Sequence, residues 1–146
     1  MNERVQIYKI LDEVISESKS NWISLSGGLD SSIIGYFIKS RTPKGIAVIS
    51  KDFLATDLTY SQIISKHLNI PLEILYVSTE QILDGIKNTI QILRNFNDIE
   101  IRNSVVMYMT LKALHKKNIN TVLTGDGADE IFAGYNFLLK KSEVDL

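Results

Sequence analysis

The sequence contains no cysteine. That excludes a disulfide framework, a thiolate zinc site and a cysteine nucleophile, and with the last a cysteine-dependent glutaminase activity in this chain. Charge of neither sign is in excess: 16 Lys and Arg against 17 Asp and Glu leave a net charge of −1. Such a balance gives no electrostatic reason to expect nucleic acid as the main partner. Long apolar runs are also missing, because no uncharged stretch exceeds ten residues, which is too short to span a bilayer, so no membrane is expected. The opening Met1-Asn-Glu-Arg-Val5 is charged and lacks a signal-peptide core, so a cytoplasmic setting is expected. The two histidines, His67 and His115, have no ligand-type neighbours in the sequence and read as surface or packing residues. What is there is 146 residues, 45% hydrophobic and 23% charged. That composition predicts one globular domain over residues 1–146, long enough to bury a core.

The most informative run is Leu25-Ser-Gly-Gly-Leu-Asp-Ser-Ser32. It follows a short strand-like segment and opens into Ile33-Ile-Gly-Tyr-Phe-Ile38, which reads as strand, glycine turn and helix. Adjacent glycines let the backbone approach a ligand and adopt positive φ at low cost. Hydroxyls of Ser26, Ser31 and Ser32 surround the turn, and the helix points its unpaired N–H groups into it. This is the chemistry of a phosphate cradle. Asp30 is the odd member: a carboxylate in an anion site is self-defeating unless a cation lies between, which implies Mg²⁺ bridging to phosphate. The run lacks the Gly-Lys-Ser/Thr ending of a Walker A loop and the GxGxxG spacing of dinucleotide folds.

Periodicity organises the rest. Val5, Ile7, Tyr8, Ile10, Leu11, Val14 and Ile15 predict an amphipathic entry helix. A first strand is predicted over Trp22 to Leu25, a helix over Ser31 to Lys39, a turn over Arg41 to Gly45 and a second strand over Ile46 to Ser50. After a loop to Leu58, a helix is predicted from a Thr59/Gln62 capping box to Leu68, then a third strand over Leu72 to Val77. Ser78 with Gln81 opens a helix carrying Ile82, Ile86, Ile90 and Leu93. Asn95 to Glu100 reads as irregular. A long helix is predicted over Ser104 to Lys117 with Val106, Met107, Leu111 and Leu114 inward, then a fourth strand over Thr121 to Thr124 and a last helix over Ile131 to Leu139. Strands alternating with helices predict an α/β fold, a Rossmann-like parallel sheet flanked by helices. Right-handed crossovers then set the ends of the first and fourth strands side by side, so that the turns at residues 26–32 and 124–130 face one crevice.

The second turn, Thr124-Gly-Asp-Gly-Ala-Asp-Glu-Ile-Phe-Ala-Gly-Tyr135, packs three carboxylates into five residues. It lacks calcium-loop spacing, and a helix cap accounts for one acid rather than three. A magnesium ion shared with phosphates accounts for them, with Asp30 as the opposing ligand.

Ser26-Gly-Gly-Leu-Asp-Ser-Ser32 resembles the pyrophosphate loop of N-type ATP pyrophosphatases. The second turn resembles the asparagine synthetase signature Ser-Gly-Glu-Gly-(Ser/Ala)-Asp-Glu-(Leu/Val)-Phe-Gly-Gly-Tyr. Asp57-Leu58 and the run Asp98…Arg102…Met107-Tyr108 match the same family between the two turns. The resemblance implies an adenine nucleotide alpha hydrolase-like fold and AMP-forming activation of a carboxylate by ATP. Aspartate would attack the α-phosphate, pyrophosphate would leave, and ammonia or glutamine-derived nitrogen would displace AMP to give asparagine. It further implies that Ser26, Gly27, Gly28, Asp30, Ser31 and Ser32 hold pyrophosphate, and that Leu25, Val48, Thr124 and Gly125 line an adenosine pocket. Asp30 and Asp129 would ligate Mg²⁺. Asp126 stands where the family has a glutamate tied to the acyl-adenylate chemistry, and Arg102 either orients substrate or pairs with Asp98.

In the family a helical region carrying a catalytic lysine follows the second signature, and a glutaminase domain precedes the first. For this chain the resemblance therefore predicts free ammonia or a separate glutaminase subunit as nitrogen source. It also predicts an open amino-acid pocket whose uncovered apolar surface favours self-association into a homo-oligomer or a partner chain. Two other readings fit the same residues: a nucleotide-binding module without turnover, and an amide- or lactam-forming ligase acting on another carboxylate.

Overall fold

The computed structural model describes residues 3–52, 56–132 and 134. Helix α1 (Glu3–Glu17) turns Leu11 and the buried Ile15 towards the sheet. Its carboxyl end is capped by Arg41, whose Nη1 donates to the Ser18 carbonyl and Nη2 to the Ile15 carbonyl, each at 2.8 Å. Strand β1 (Trp22–Ser24) is one residue shorter than predicted, and α2 (Leu29–Ile38) begins two residues before Ser31. A 3₁₀ turn over Lys39–Arg41 leads into β2 (Lys44–Ser50), which takes in two residues predicted as turn.

Helix α3 (Thr56–Leu68) starts before Thr59, so the predicted Thr59/Gln62 capping box does not open it. Strand β3 (Leu72–Val77) has the predicted bounds. Helix α4 (Thr79–Leu93) opens on the predicted capping box: the Ser78 hydroxyl accepts from Gln81 N, and the Gln81 side chain accepts from Ser78 N at 2.9 Å. Helix α5 (Asp98–His115) starts six residues before Ser104. The stretch predicted as irregular holds its cap, because the Asn97 side chain accepts from Ile99 N at 3.0 Å and Glu100 N at 3.2 Å. Asp98 and Glu100 then complement the helix dipole in the first turn.

This earlier start also corrects the inner face. Ile101, Val105 and Met109 are buried at four-residue spacing, whereas Val106 is 49% and Leu111 48% exposed. Of the residues predicted inward, Leu114 is buried. Helix α6 (Ala128–Phe132) covers only the start of the predicted last helix. Gly134, within the predicted helix, is not helical, and the other residues of that helix after Phe132, the Lys140-Lys141 pair and the Asp57 side chain lie outside the described residues.

Among the described residues three strands form a parallel sheet in the order β1-β2-β3, with Ile23, Gly45 and Leu72 in register. The predicted fourth strand is reduced to one parallel bridge, Leu123 beside Ile23. Leu123 N donates to Trp22 O at 2.8 Å, and Leu123 O accepts from Ser24 N at 2.9 Å. The buried Ser20 hydroxyl adds a bond to Thr121 O at 2.9 Å. Strand parity sends side chains to opposite faces. Ile23 and Leu25 join Ile15 and Ile38 on the α1–α2 side, and Val77 joins Val105 and Met109 on the α4–α5 side. With residue 123 beside β1, the order of the chain across the sheet reverses next to β1. That is the switch point at which α/β sheets open a crevice.

Candidate functional site

The crevice lies at the carboxyl end of β1, where the serine–glycine turn begins. Gly27 has φ +85, and a Cβ there would lie 2.4 Å from Ser61 N and 2.5 Å from Tyr60 C of α3, so only glycine fits. The Ser26 hydroxyl accepts from Gly28 N at 3.2 Å and lies 3.0 Å from the hydroxyl of the buried Ser31. Ser31 and Ser32 hydroxyls both donate to the Gly28 carbonyl, at 3.2 and 2.6 Å. Gly28 is the N-cap of α2 and supplies no side-chain acceptor. The first-turn N–H groups of α2 therefore present a partial positive charge that no side-chain cap neutralises.

The acidic turn meets this helix end directly. A Cβ on Gly125 would lie 2.9 Å from Asp30 Cβ and 3.0 Å from Ser31 N, so the two turns are in backbone contact. Together they bound a cleft of about 620 Å³. Asp30, Asp126, Asp129 and Glu130 line it, against one cationic side chain among the described residues, Arg102. Burial first, and then the charges of Asp129 and Glu130, hold the Asp30 carboxyl above its ordinary range.

Of the residues singled out from sequence, Ser26, Gly28, Asp30, Ser31, Arg102, Thr124, Gly125, Asp126 and Asp129 share this cleft. Four others do not line it. Leu25 is fully buried on the α1–α2 side, and Val48 packs with Val77 and Met109 on the α4–α5 side. Gly27 backs onto α3, and Ser32 is engaged with Gly28. Arg102 lines the cleft, and its side chain pairs with Asp98, Nη2 to Oδ2, at 3.2 Å. With the two side chains 73% and 79% exposed, such a pair contributes only about 0.3–0.5 kcal/mol, so a ligand can draw the guanidinium away.

Sequence reasoning missed Asn103, Ser104 and Met107 on the same stretch of α5, and Glu130. Phasing the helix from Ile101 would have turned Asn103 and Ser104 away from the core.

Asp30 and Asp129 bring carboxylates to one cleft, but the described residues hold no group of three or more side chains able to cage a metal. A cation here would take its remaining ligands from water or phosphate, which fits Mg²⁺ better than a metal needing an all-protein cage. A second cavity of about 640 Å³ lies at the opposite ends of the strands, lined by Trp22, Lys44, Glu73 and Lys117. Its charges are engaged internally: Lys117 pairs with Glu73, and Lys44 and Lys117 each lie 5.8 Å from the centre of the Trp22 ring. The helix end and the excess of carboxylates belong to the first cleft.

No described helix is long and apolar enough to cross a membrane. Solved structures similar to this one include an NH3-dependent NAD synthetase from Campylobacter jejuni, with TM-score 0.54, 18% identity, and 93% of this chain and 62% of that one covered. An NMN synthetase from Francisella tularensis gives TM-score 0.55 and 20% identity over 87% of this chain and 56% of that one. At these identities the likeness establishes the fold, the Rossmann-like parallel sheet expected from the sequence.

Among curated proteins, asparagine synthetase B [glutamine-hydrolyzing] of Escherichia coli (strain K12) is 27% identical over 132 residues, 81% of this chain and 24% of that protein. A probable asparagine synthetase [glutamine-hydrolyzing] of Dictyostelium discoideum is 28% identical over 129 residues, 77% of this chain and 23% of that one. The chain thus spans about a quarter of the length of these relatives. The family model for asparagine synthase matches residues 22–145, both turns included. The chain belongs to the asparagine synthase family.

Proposed function

We propose that the cleft binds Mg·ATP and that the chain carries the AMP-forming activation of a carboxylate, aspartate by preference, ahead of amide formation. One observation supports this most: a helix end without a side-chain cap and four carboxylates face the same space. A lone anion would be drawn to the helix and repelled by the acids, and a lone cation the reverse. A phosphate chain carrying a divalent cation satisfies both. Membership of the asparagine synthase family points to the same ligand.

In this reading the first-turn N–H groups of α2 and the Ser26 and Ser31 hydroxyls bind the β- and γ-phosphates. Asp30 and Asp129 hold Mg²⁺, which supplies charge neutralisation on the departing pyrophosphate. Thr124 and Gly125 border the nucleoside, whereas the side chains of Leu25 and Val48 support that region from the two cores. Arg102 orients the acceptor carboxylate. Asp126, exposed in the acidic turn, faces the activated acyl group, one methylene shorter than the family glutamate.

The test is product identity with Mg·ATP, aspartate and ammonia. AMP, pyrophosphate and asparagine are expected. ADP and phosphate as the main products would refute the reading. Tight Mg·ATP binding without products would leave a nucleotide-binding module.

A further inference from the structure

The Ser26–Gly27 peptide is fixed from behind by α3. Ser61 is fully buried, and its hydroxyl donates to the Ser26 carbonyl at 2.8 Å. In a trans peptide the C=O and the following N–H point in opposite directions, and the described residues contain no cis bond. Holding the Ser26 carbonyl against α3 therefore aims the Gly27 N–H away from α3. Ser26 and Gly28, on either side of Gly27, both line the cleft, and among the described residues nothing accepts from Gly27 N.

Glycine at this position makes such a hold necessary. Without a Cβ, Gly27 tolerates either orientation of the preceding peptide, and a flip would turn a carbonyl oxygen to the anion side in place of an N–H. The side-chain bonds of the turn, Ser26 to Gly28 and Ser31, fix the Ser26 hydroxyl but not its carbonyl.

We propose that Ser61 is a positioning residue of the phosphate turn: its hydroxyl locks the Ser26–Gly27 peptide so that the Gly27 N–H serves as an anion donor. The proposal rests on the nucleotide reading given above. Helix α3 contains its own control. Ser65, one turn on, makes the same kind of bond, donating to the Ile70 carbonyl at 2.7 Å, away from the turn.

The experiment compares Ser61→Ala with Ser65→Ala by residue-resolved amide exchange at Gly28, whose N–H is held by the Ser26 hydroxyl while the turn stays fixed, and by calorimetric titration with Mg·ATP. Loss of one buried hydrogen bond frees the Ser26–Gly27 peptide and predicts about tenfold faster exchange at Gly28 and about tenfold weaker Mg·ATP binding in Ser61→Ala. Ser65→Ala should keep wild-type values for both and lose only thermal stability. Ser61→Cys, which nearly preserves volume and weakens the bond, gives the same comparison if the alanine variant folds poorly. Equal losses of melting temperature in the two alanine variants, with Gly28 exchange and Mg·ATP affinity unchanged in both, would overturn the proposal. Failure of the wild-type chain to bind Mg·ATP would refute the nucleotide reading instead, and the exchange comparison would still decide whether Ser61 holds the turn.

Discussion

Replacing Gly125 by alanine tests whether the two turns act as one site. A Cβ there would stand 2.9 Å from Asp30 Cβ, 3.0 Å from Ser31 N and 3.2 Å from Asp30 C. Non-bonded heavy atoms are comfortable at about 3.5–4.0 Å, so the shortfall is about half an ångström. Two of the three atoms belong to the backbone of the first turn of α2 and cannot swing aside. The acidic turn must then move off the serine turn, and overpacking of this kind costs about 1–3 kcal/mol of stability. Displacement of charged groups by up to about 1 Å at a catalytic or binding constellation lowers its function by up to about a hundredfold. Gly85→Ala is the control, because its Cβ would meet Val105 Cγ2 at 3.1 Å between α4 and α5, away from the cleft. Gly125→Ala should melt below wild type in a thermal-shift assay and lose Mg·ATP affinity by about tenfold or more, whereas Gly85→Ala should keep wild-type affinity whatever its melting temperature. Wild-type affinity in a destabilised Gly125→Ala protein would refute the single-site reasoning.

Asp30→Asn should raise stability in Mg²⁺-free buffer while removing a cation ligand. The folded protein holds the Asp30 carboxyl above its ordinary value of 3.8, so ionisation opposes folding. That cost is absent well below 3.8, builds as pH rises through the unfolded and then the higher folded value, and is fully present above both. Denaturant titrations should find the variant more stable than wild type at neutral pH and the gap closing in acid, and a variant less stable at neutral pH would contradict the assignment. Thr89 is buried with no partner for its hydroxyl among the described residues. Thr89→Val keeps the shape and removes the orphaned group, which should add about 1 kcal/mol to the urea-unfolding free energy; a loss would mean that the hydroxyl is satisfied.

What was legible in the sequence was local. The Ser78/Gln81 capping box and the apolar run Leu72–Val77 fixed α4 and β3 because those signals lie within a few neighbouring residues. The start of α5 was obscured because its cap, Asn97, and its acidic first turn have the composition of a loop. A helix phased from Ser104 does not turn Asn103 and Ser104 towards the cleft that they line. The apolar segment at residue 123 reads as a full strand, but pairing with β1 is a tertiary event, and there it reaches only one bridge. The cleft emerged from two turns far apart in sequence, because the switch-point rule fixes where strand ends meet. Family resemblance placed Leu25 and Val48 near the nucleoside without regard to strand parity, which sends their side chains into the two cores. The contact of Ser61 with Ser26 lay beyond any local pattern, because the bond spans 35 residues.

If a helix end and an acidic turn together hold a magnesium nucleotide, affinity must depend on both turns and on the cation. Calorimetric titration of ATP, with and without Mg²⁺, into the wild-type chain, Asp30→Asn and Asp129→Asn tests it most directly. Wild-type binding should depend on Mg²⁺, and both variants should lose the Mg²⁺-dependent part with the fold intact by circular dichroism. No ATP binding by the wild-type chain, or binding indifferent to both substitutions, would contradict it.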